Sequence, residues 1–152
     1  MRRHDREKTD RSEMESILNK AMVCRLGCDD NGRPYIVPVS FGYREGVIYI
    51  HSAGDGRKIT LLQKNPACCI EVDECLEIVH DKKPCNWGIR YRSVICTGRA
   101  HFITDTEEKR DGLNCIVHHY GAESHLFPEK ELESVCVIRI DITEMTGKKS
   151  GC

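Results

Sequence analysis

No run in this chain stays apolar for the roughly 18 residues that a membrane-spanning helix requires, and the opening Met1-Arg-Arg-His-Asp-Arg-Glu-Lys8 has no apolar stretch behind it of the kind a signal peptide carries. A cytoplasmic location is the expectation. Net charge is nearly absent too: 23 Lys plus Arg stand against 24 Asp plus Glu, a formal −1, so nothing draws the chain generally to nucleic acid or to a membrane surface. There is no internal repeat. At 152 residues the chain is most simply one domain, 1–152, large enough to bury a core without covalent staples.

Ten cysteines are present, yet none forms a C-x-x-C pair, and this spacing argues against a zinc site. A disulfide framework lacks an export route. Cys68 and Cys69, being neighbours, point to opposite faces of a strand and cannot share a metal without a bulge. Most of the ten therefore read as reduced thiols, with Cys24, Cys96 and Cys136 serving as small apolar residues in strand patterns.

A first helix is signalled over Asp10 to Lys20, where Ser12 and Glu15 have capping-box spacing and Met14, Ile17, Leu18 and Ala21 recur with helical period. A strand Met22–Leu26, a turn Asp29-Asp-Asn-Gly32 and a strand Pro34–Phe41 make a hairpin. Pro38 has no N–H for a ladder, which places it at an edge, at a bulge or beside a ligand. Arg44-Glu-Gly46 turns into a strand Val47–Ser52, with Val47, Tyr49 and His51 on one face and Ile48, Ile50 and Ser52 on the other.

Further on, Lys58–Lys64 reads as a short helix closed by Asn65-Pro66, and Ala67–Asp73 as a strand. Glu74 to Gly88, which holds Pro84 and the lone Trp87, reads as a loop. Ile89–Ile103 is a long strand bent near Gly98, and Thr104 or Asp105 caps a helix to about Tyr120 with Leu113, Ile116, Val117 and Tyr120 apolar. Val135–Thr143 is the last strand, and 145–152 a polar tail. Six or so strands joined mostly by short turns, with helices around them, describe a mainly β protein, an antiparallel barrel decorated by helices. It is not a Rossmann unit, because Gly54 and Gly56 do not fit the dinucleotide fingerprint and strand and helix do not alternate.

Nucleophilic chemistry has no visible site. No serine sits in an elbow motif, and with so many cysteines a Cys–His pairing carries no information. His118 and His119 point about 100° apart on a helix and read as surface residues; His101 reads as structural. The distinctive stretch is Tyr49-Ile-His-Ser-Ala-Gly-Asp-Gly-Arg-Lys-Ile59, a strand that breaks into glycines and delivers Arg57 and Lys58 at a helix start. Glycines admit close approach, a helix start offers free N–H groups, and two cations neutralise a phosphoryl group. The same residues also fit a glycine-rich turn with two solvated cations. His51 is either a ligand-facing group or an ordinary half-buried histidine.

The order Met1-Arg-Arg, Arg25-Leu-Gly, Arg33-Pro-Tyr-Ile-Val-Pro-Val, Ile48-Tyr-Ile-His-Ser, Gly56-Arg-Lys, Asn65-Pro, Tyr91-Arg-Ser-Val-Ile and Thr146-Gly-Lys closely resembles the pyridoxamine 5′-phosphate oxidase-related FMN-binding proteins, most of all their nitroimidazole-resistance branch. The resemblance implies a six-stranded split β-barrel over 1–152, with 1–9 and 145–152 peripheral, that forms a homodimer holding FMN at the subunit interface. It puts Arg57 and Lys58 on the phosphate clamp, with Gly56 where relatives often carry serine. His51 and Ser52 fall at the strand end reaching the ribityl chain and phosphate, and Val37, Pro38, Val39 and Ser40 along the isoalloxazine. Ser93 matches a flavin-contacting polar position. The oxidase's C-terminal substrate segment has no counterpart beyond Lys149, so vitamin B6 oxidation is not expected. The implied activity is a flavin-dependent reduction of nitroaromatic or other small electron-poor compounds, fed by a nicotinamide or another donor, with His51 as candidate catalytic group. A non-catalytic flavin- or haem-binding protein is the alternative.

Overall fold

The computed structural model describes residues 7–8 and 10–151. Strand β1 (Glu7–Lys8) precedes helix α1 (Arg11–Lys20), strands β2 (Cys24–Asp30), β3 (Arg33–Val39), β4 (Phe41–Arg44) and β5 (Val47–Ser52), and helix α2 (Arg57–Lys64). Strands β6 (Ala67–Val79) and β7 (Gly88–Phe102), helices α3 (Thr106–His119) and α4 (Glu129–Ser134), and strand β8 (Cys136–Ser150) complete the order. Among the described residues no helix is long and apolar enough to cross a membrane.

The ladder runs β3-β2-β6-β7-β8-β5-β4, with every pair antiparallel and β1 added to β8. Laid flat, six strand spacings of about 4.8 Å would separate β3 from β4 by roughly 29 Å. Yet only Ser40 lies between Val39 and Phe41. The sheet must curl until its two ends meet at Ser40, and because β3 and β4 do not pair, the barrel stays split there. The tip of α3 pins that seam: the Tyr120 hydroxyl donates to Met22 O at 2.8 Å and accepts from Phe41 N at 3.2 Å.

Two apolar groups form the core. Leu18, Leu26, Phe41, Ile48, Ile70 and Ile140 belong to the barrel interior, sealed by α1 and α2. Tyr49, Leu113, Ile116, Leu132 and Val137 form a second layer where α3 and α4 cover the outside of β5 and β8. A side chain at Gly42 would come within 2.6 Å of the Cys115 carbonyl, so this position must be glycine for α3 to lie so close to β4.

Several expectations change. The described chain has eight strands rather than six, because the Pro34–Phe41 run divides at Ser40 and β1 joins β8. Asp10, not Ser12, caps α1: its Oδ1 accepts from Ser12 N and Ser12 Oγ, both at 2.9 Å, while Glu15 is drawn off to Arg11 and to the Tyr43 hydroxyl. The expected loop 74–88 is largely ribbon. β6 continues to Val79 through a bulge at Cys75/Glu77, with Ile78 facing Ile89 and Arg90 bonded to Glu77 at 2.9 Å, and a single 3-10 turn (Pro84–Asn86) closes it.

Residues 145–150, read as a tail, extend β8 along β7, where Lys148 lies 5.7 Å from the Tyr91 ring centre. Of the expected arm 1–9, all but Glu7 and Lys8 lies outside the described residues, as does Cys152. The bend at Gly98 is present as a register shift between Thr97 and Gly98.

Candidate phosphate clamp at the end of strand β5

β5 ends where its apolar alternation ends, at Ser52, and the chain then crosses Ala53-Gly-Asp-Gly56 into α2. Gly56 is the N-cap and sits at φ 114°, ψ 166°, a conformation closed to side-chain-bearing residues, with open space where a Cβ would stand. Among the described residues no side chain caps the helix, so its first N–H groups keep their capacity for an anion. Gly56 O accepts from Thr60 N at 3.1 Å, which fixes the first turn.

Ser52 adds a more pointed observation. Its Oγ is buried and, among the described residues, has no hydrogen-bond partner. Buried hydroxyls rarely go unpaired, so this orphan at the mouth of an uncapped helix fits a polar group supplied from outside the chain. Ser52 pairs with Cys136 across the ladder, and Lys58 lies close enough to act electrostatically on the Cys136 thiol. Burial outweighs Lys109 and Lys58 there and raises that thiol.

Arg57 leans the other way. Its Nη2 donates to Asp30 Oδ2 at 2.6 Å, and its guanidinium carbon lies 4.7 Å from the Tyr35 ring centre. Lys64, one helix length on, reaches Asn31 in the same β2–β3 turn. Asp30 and Tyr35 are neighbours of the candidate site that pattern reading missed, since 29–32 announces only a turn and nothing local says that it folds over α2. The residues Ser52, Gly56, Arg57 and Lys58 thus gather at one junction, and their chemistry fits a phosphoryl group.

The other candidates lie elsewhere. Pro38 is on β3, which among the described residues pairs only with β2 and is therefore an edge, as the missing N–H requires. Val37 and Val39 turn inward against the barrel core, whereas Pro38 and Ser40 are exposed. His51 and Ser52 leave β5 on opposite faces: His51 is exposed and borders a recess under α3 and α4. Ser93 is set apart from the junction. It pairs with Lys148 near the end of β8, while Ser52 pairs with Cys136 at its beginning.

A concavity of about 760 Å³ along β2, β3, β6 and β7 is lined by Tyr35, Ile36, Cys68 and Cys69 among others and includes none of the sequence-predicted site residues. Tyr35 lines it and also carries the Arg57 guanidinium over its ring, so this concavity adjoins the candidate clamp. His118 is exposed, but His119 is not a surface residue: its Nε2 is 2.7 Å from Ala21 O and its ring is 4.4 Å from that of Phe41. The nine described cysteines are unpaired. Burial pushes Cys24, Cys68 and Cys96 up to about 12.

A sequence model of the family described as pyridoxamine 5′-phosphate oxidase matches residues 10–149. The chain belongs to that family. Among solved structures it is similar to a candidate 5-nitroimidazole antibiotic resistance protein from Bacteroides thetaiotaomicron VPI-5482, with 35% identity, 94% of this chain and 86% of that chain covered, and a TM-score of 0.86. It is also similar to the flavocytochrome Anf3 from Azotobacter vinelandii, at 27% identity over 100% of this chain and 72% of that one, TM-score 0.86. The uncharacterized protein RA0666 of Rhizobium meliloti (strain 1021) is 25% identical over 97 residues, 64% of this chain. That match spans 57% of RA0666's length. The antiparallel split barrel with peripheral helices is thus the architecture this chain shares with its family neighbours.

Proposed function

We propose that this chain is an FMN-binding oxidoreductase that reduces small, flat, electron-poor compounds of the nitroaromatic class. The observation that carries the reading is the orphaned Ser52 Oγ beside the uncapped start of α2, with Arg57 and Lys58 on its first turn. These groups would hold the FMN phosphate: backbone N–H groups and Ser52 donate hydrogen bonds, while the two side chains neutralise charge. The exposed edge of β3 from Val37 to Ser40 offers backbone groups to the flavin ring, and Pro38 has no donor to waste on a missing strand. When bound, the flavin would supply hydride transfer, so the protein has to bind, orient and shield rather than provide a nucleophile. His51 would orient the cofactor or the substrate and hold a proton at its ring nitrogen.

A homodimer fits the same reading. Ser93 and the clamp lie at opposite ends of β8, so a site using both takes Ser93 from a second copy. The outer sheet face also carries Ile36, Ile78, Ile89 and Ile95 exposed, an apolar strip suited to burial against another chain. The cytoplasm, with nicotinamide nucleotides as electron donors, is the setting that suits such chemistry.

The similarity to a protein named a flavocytochrome favours one other reading, a flavin- or haem-binding protein without catalysis. The test is anaerobic reduction of the purified, FMN-loaded protein by NADH or NADPH, followed by reoxidation with nitroimidazoles. Flavin bands that bleach and return support the proposal. A Soret band, or flavin that is never reoxidised by any nitro compound, removes it in favour of the alternative.

A further inference from the structure

Beside the clamp, on the opposite face of β5, lies a separate recess of about 290 Å³. Leu113, Ile116 and Val117 of α3 and the ring of Phe127 make its walls apolar, and His51 and Glu131 are the polar groups at its border. Among the described residues neither the His51 ring nor the Glu131 carboxylate has a hydrogen-bond or ion-pair partner. Phe127 is the unusual member, because its φ of 30° is in the left-handed region that an aromatic residue rarely enters.

Backbone strain of this kind persists only where the surroundings impose it, and it concentrates at ligand clamps. Here the surroundings are explicit. Asn114 Nδ2 donates to His125 O at 3.1 Å, His125 N donates to Asn114 Oδ1 at 2.7 Å, and Arg110 Nε donates to Leu126 O at 3.2 Å. The His125 ring stands edge-on to Phe127 at 4.8 Å and 81°. The segment before α4 is thus tied to α3 so that one aromatic ring is held at the recess against its local preference.

We propose that this recess binds a single aromatic N-heterocycle, stacked against Phe127, with its ring N–H directed to the Glu131 carboxylate and a ring acceptor to His51. A volume near the lower bound of ligand pockets, about 300 Å³, suits one or two rings. The carboxylate selects an N–H donor or a cationic ring and rejects carboxylates. The inference rests on the proposed function in taking this ring as the compound presented to the flavin, and it assigns the substrate's ring to α3 and α4 rather than to the clamp.

Benzimidazole is the probe, with benzoate as the anionic control, titrated by calorimetry into full-length protein with and without FMN. Saturable benzimidazole binding without benzoate binding is expected. Val117→Trp, which fills the recess, should weaken it by at least about ten-fold. Glu131→Gln, an exposed change that leaves the core intact, should weaken it roughly five-fold. Neither should alter the flavin spectrum or FMN affinity.

Undiminished binding in Glu131→Gln overturns the proposal, and so does undiminished binding in a folded Val117→Trp. Absence of benzimidazole binding by the wild-type protein also overturns it. If the protein takes up no flavin yet binds benzimidazole through Val117 and Glu131, the flavin reading fails and the recess stands. If it takes up flavin while the recess stays inert, the recess proposal fails and the flavin reading stands.

Discussion

Arg57 donates to Asp30 at 2.6 Å across the gap between α2 and the β2–β3 turn, with the Tyr35 ring beneath it. One of its donors is committed to Asp30, leaving the rest of the fork for an anion. Asp30 therefore has two opposed effects: it orients the guanidinium, and it sets a negative charge next to the proposed anion site. Asp30→Asn keeps an acceptor oxygen and deletes the charge. FMN affinity, followed by quenching of flavin fluorescence, should rise roughly two- to five-fold, with the gain shrinking as salt is added. Unchanged or weaker binding would contradict this role for the pair.

Removing the clamp itself is the sterner trial. In Arg57→Ala/Lys58→Ala the charge-assisted contacts to phosphate vanish, and each loss is expected to weaken binding by about ten-fold or more. Arg57 is exposed and Lys58 half-buried on the first turn of α2, and neither belongs to the apolar core, so melting should change little while FMN binding collapses. A double variant that still binds FMN as tightly as the parent protein sinks the assignment of the clamp.

Gly56 carries a different kind of dependence. Space around it is open, so Gly56→Ala meets no clash, and its whole cost is the backbone at φ 114°. That strain is worth about 1–3 kcal/mol, or roughly 2–4 °C in Tm for each kcal/mol in a chain of this size. Because relaxation would re-aim the N–H groups of α2, FMN affinity should fall alongside Tm. Thermal melts with and without FMN separate the two effects, and a variant with both unchanged refutes the requirement for glycine.

The strands were legible where alternation was strong. Ile48 and Ile50 against Tyr49 fix the faces of β5, and Asn31-Gly32, at φ 53° and 82°, makes the two-residue hairpin turn its sequence advertises. The ribbon character of 74–88 was not legible, because its pairing depends on Glu77–Arg90 and Ile78–Ile89, contacts between strands whose connecting charge and proline look like loop. The same limit hid Asp30 and Tyr35 from the clamp. Capping failed for a subtler reason: Asp10 and Ser12 both carry capping side chains, and only the route of Glu15 to Tyr43 decides which one caps. The resemblance pointed along the chain to the β5–α2 junction, but not to the inward turn of Val37 and Val39, which follows from the register with Leu26 and Cys24.

The buried thiols give a pH dependence with a definite sign. Cys24, Cys68 and Cys96 are held up to about 12 by burial, whereas in the unfolded chain a thiol titrates near about 8.5. Between these values the folded state keeps protons that the unfolded chain sheds, so stability is fully present below about pH 8 and falls as pH rises toward 12. The slope approaches about 1.4 kcal/mol per pH unit for each thiol once the unfolded form is ionised. Urea melts at pH 7.5, 9 and 10 should show a progressive loss in the parent protein and a shallower one in Cys24→Ala/Cys96→Ala, whose starting stability is lower but whose unfolded state has fewer protons to lose. Parallel pH profiles for the two proteins would mean that these sulfurs do not govern the alkaline transition.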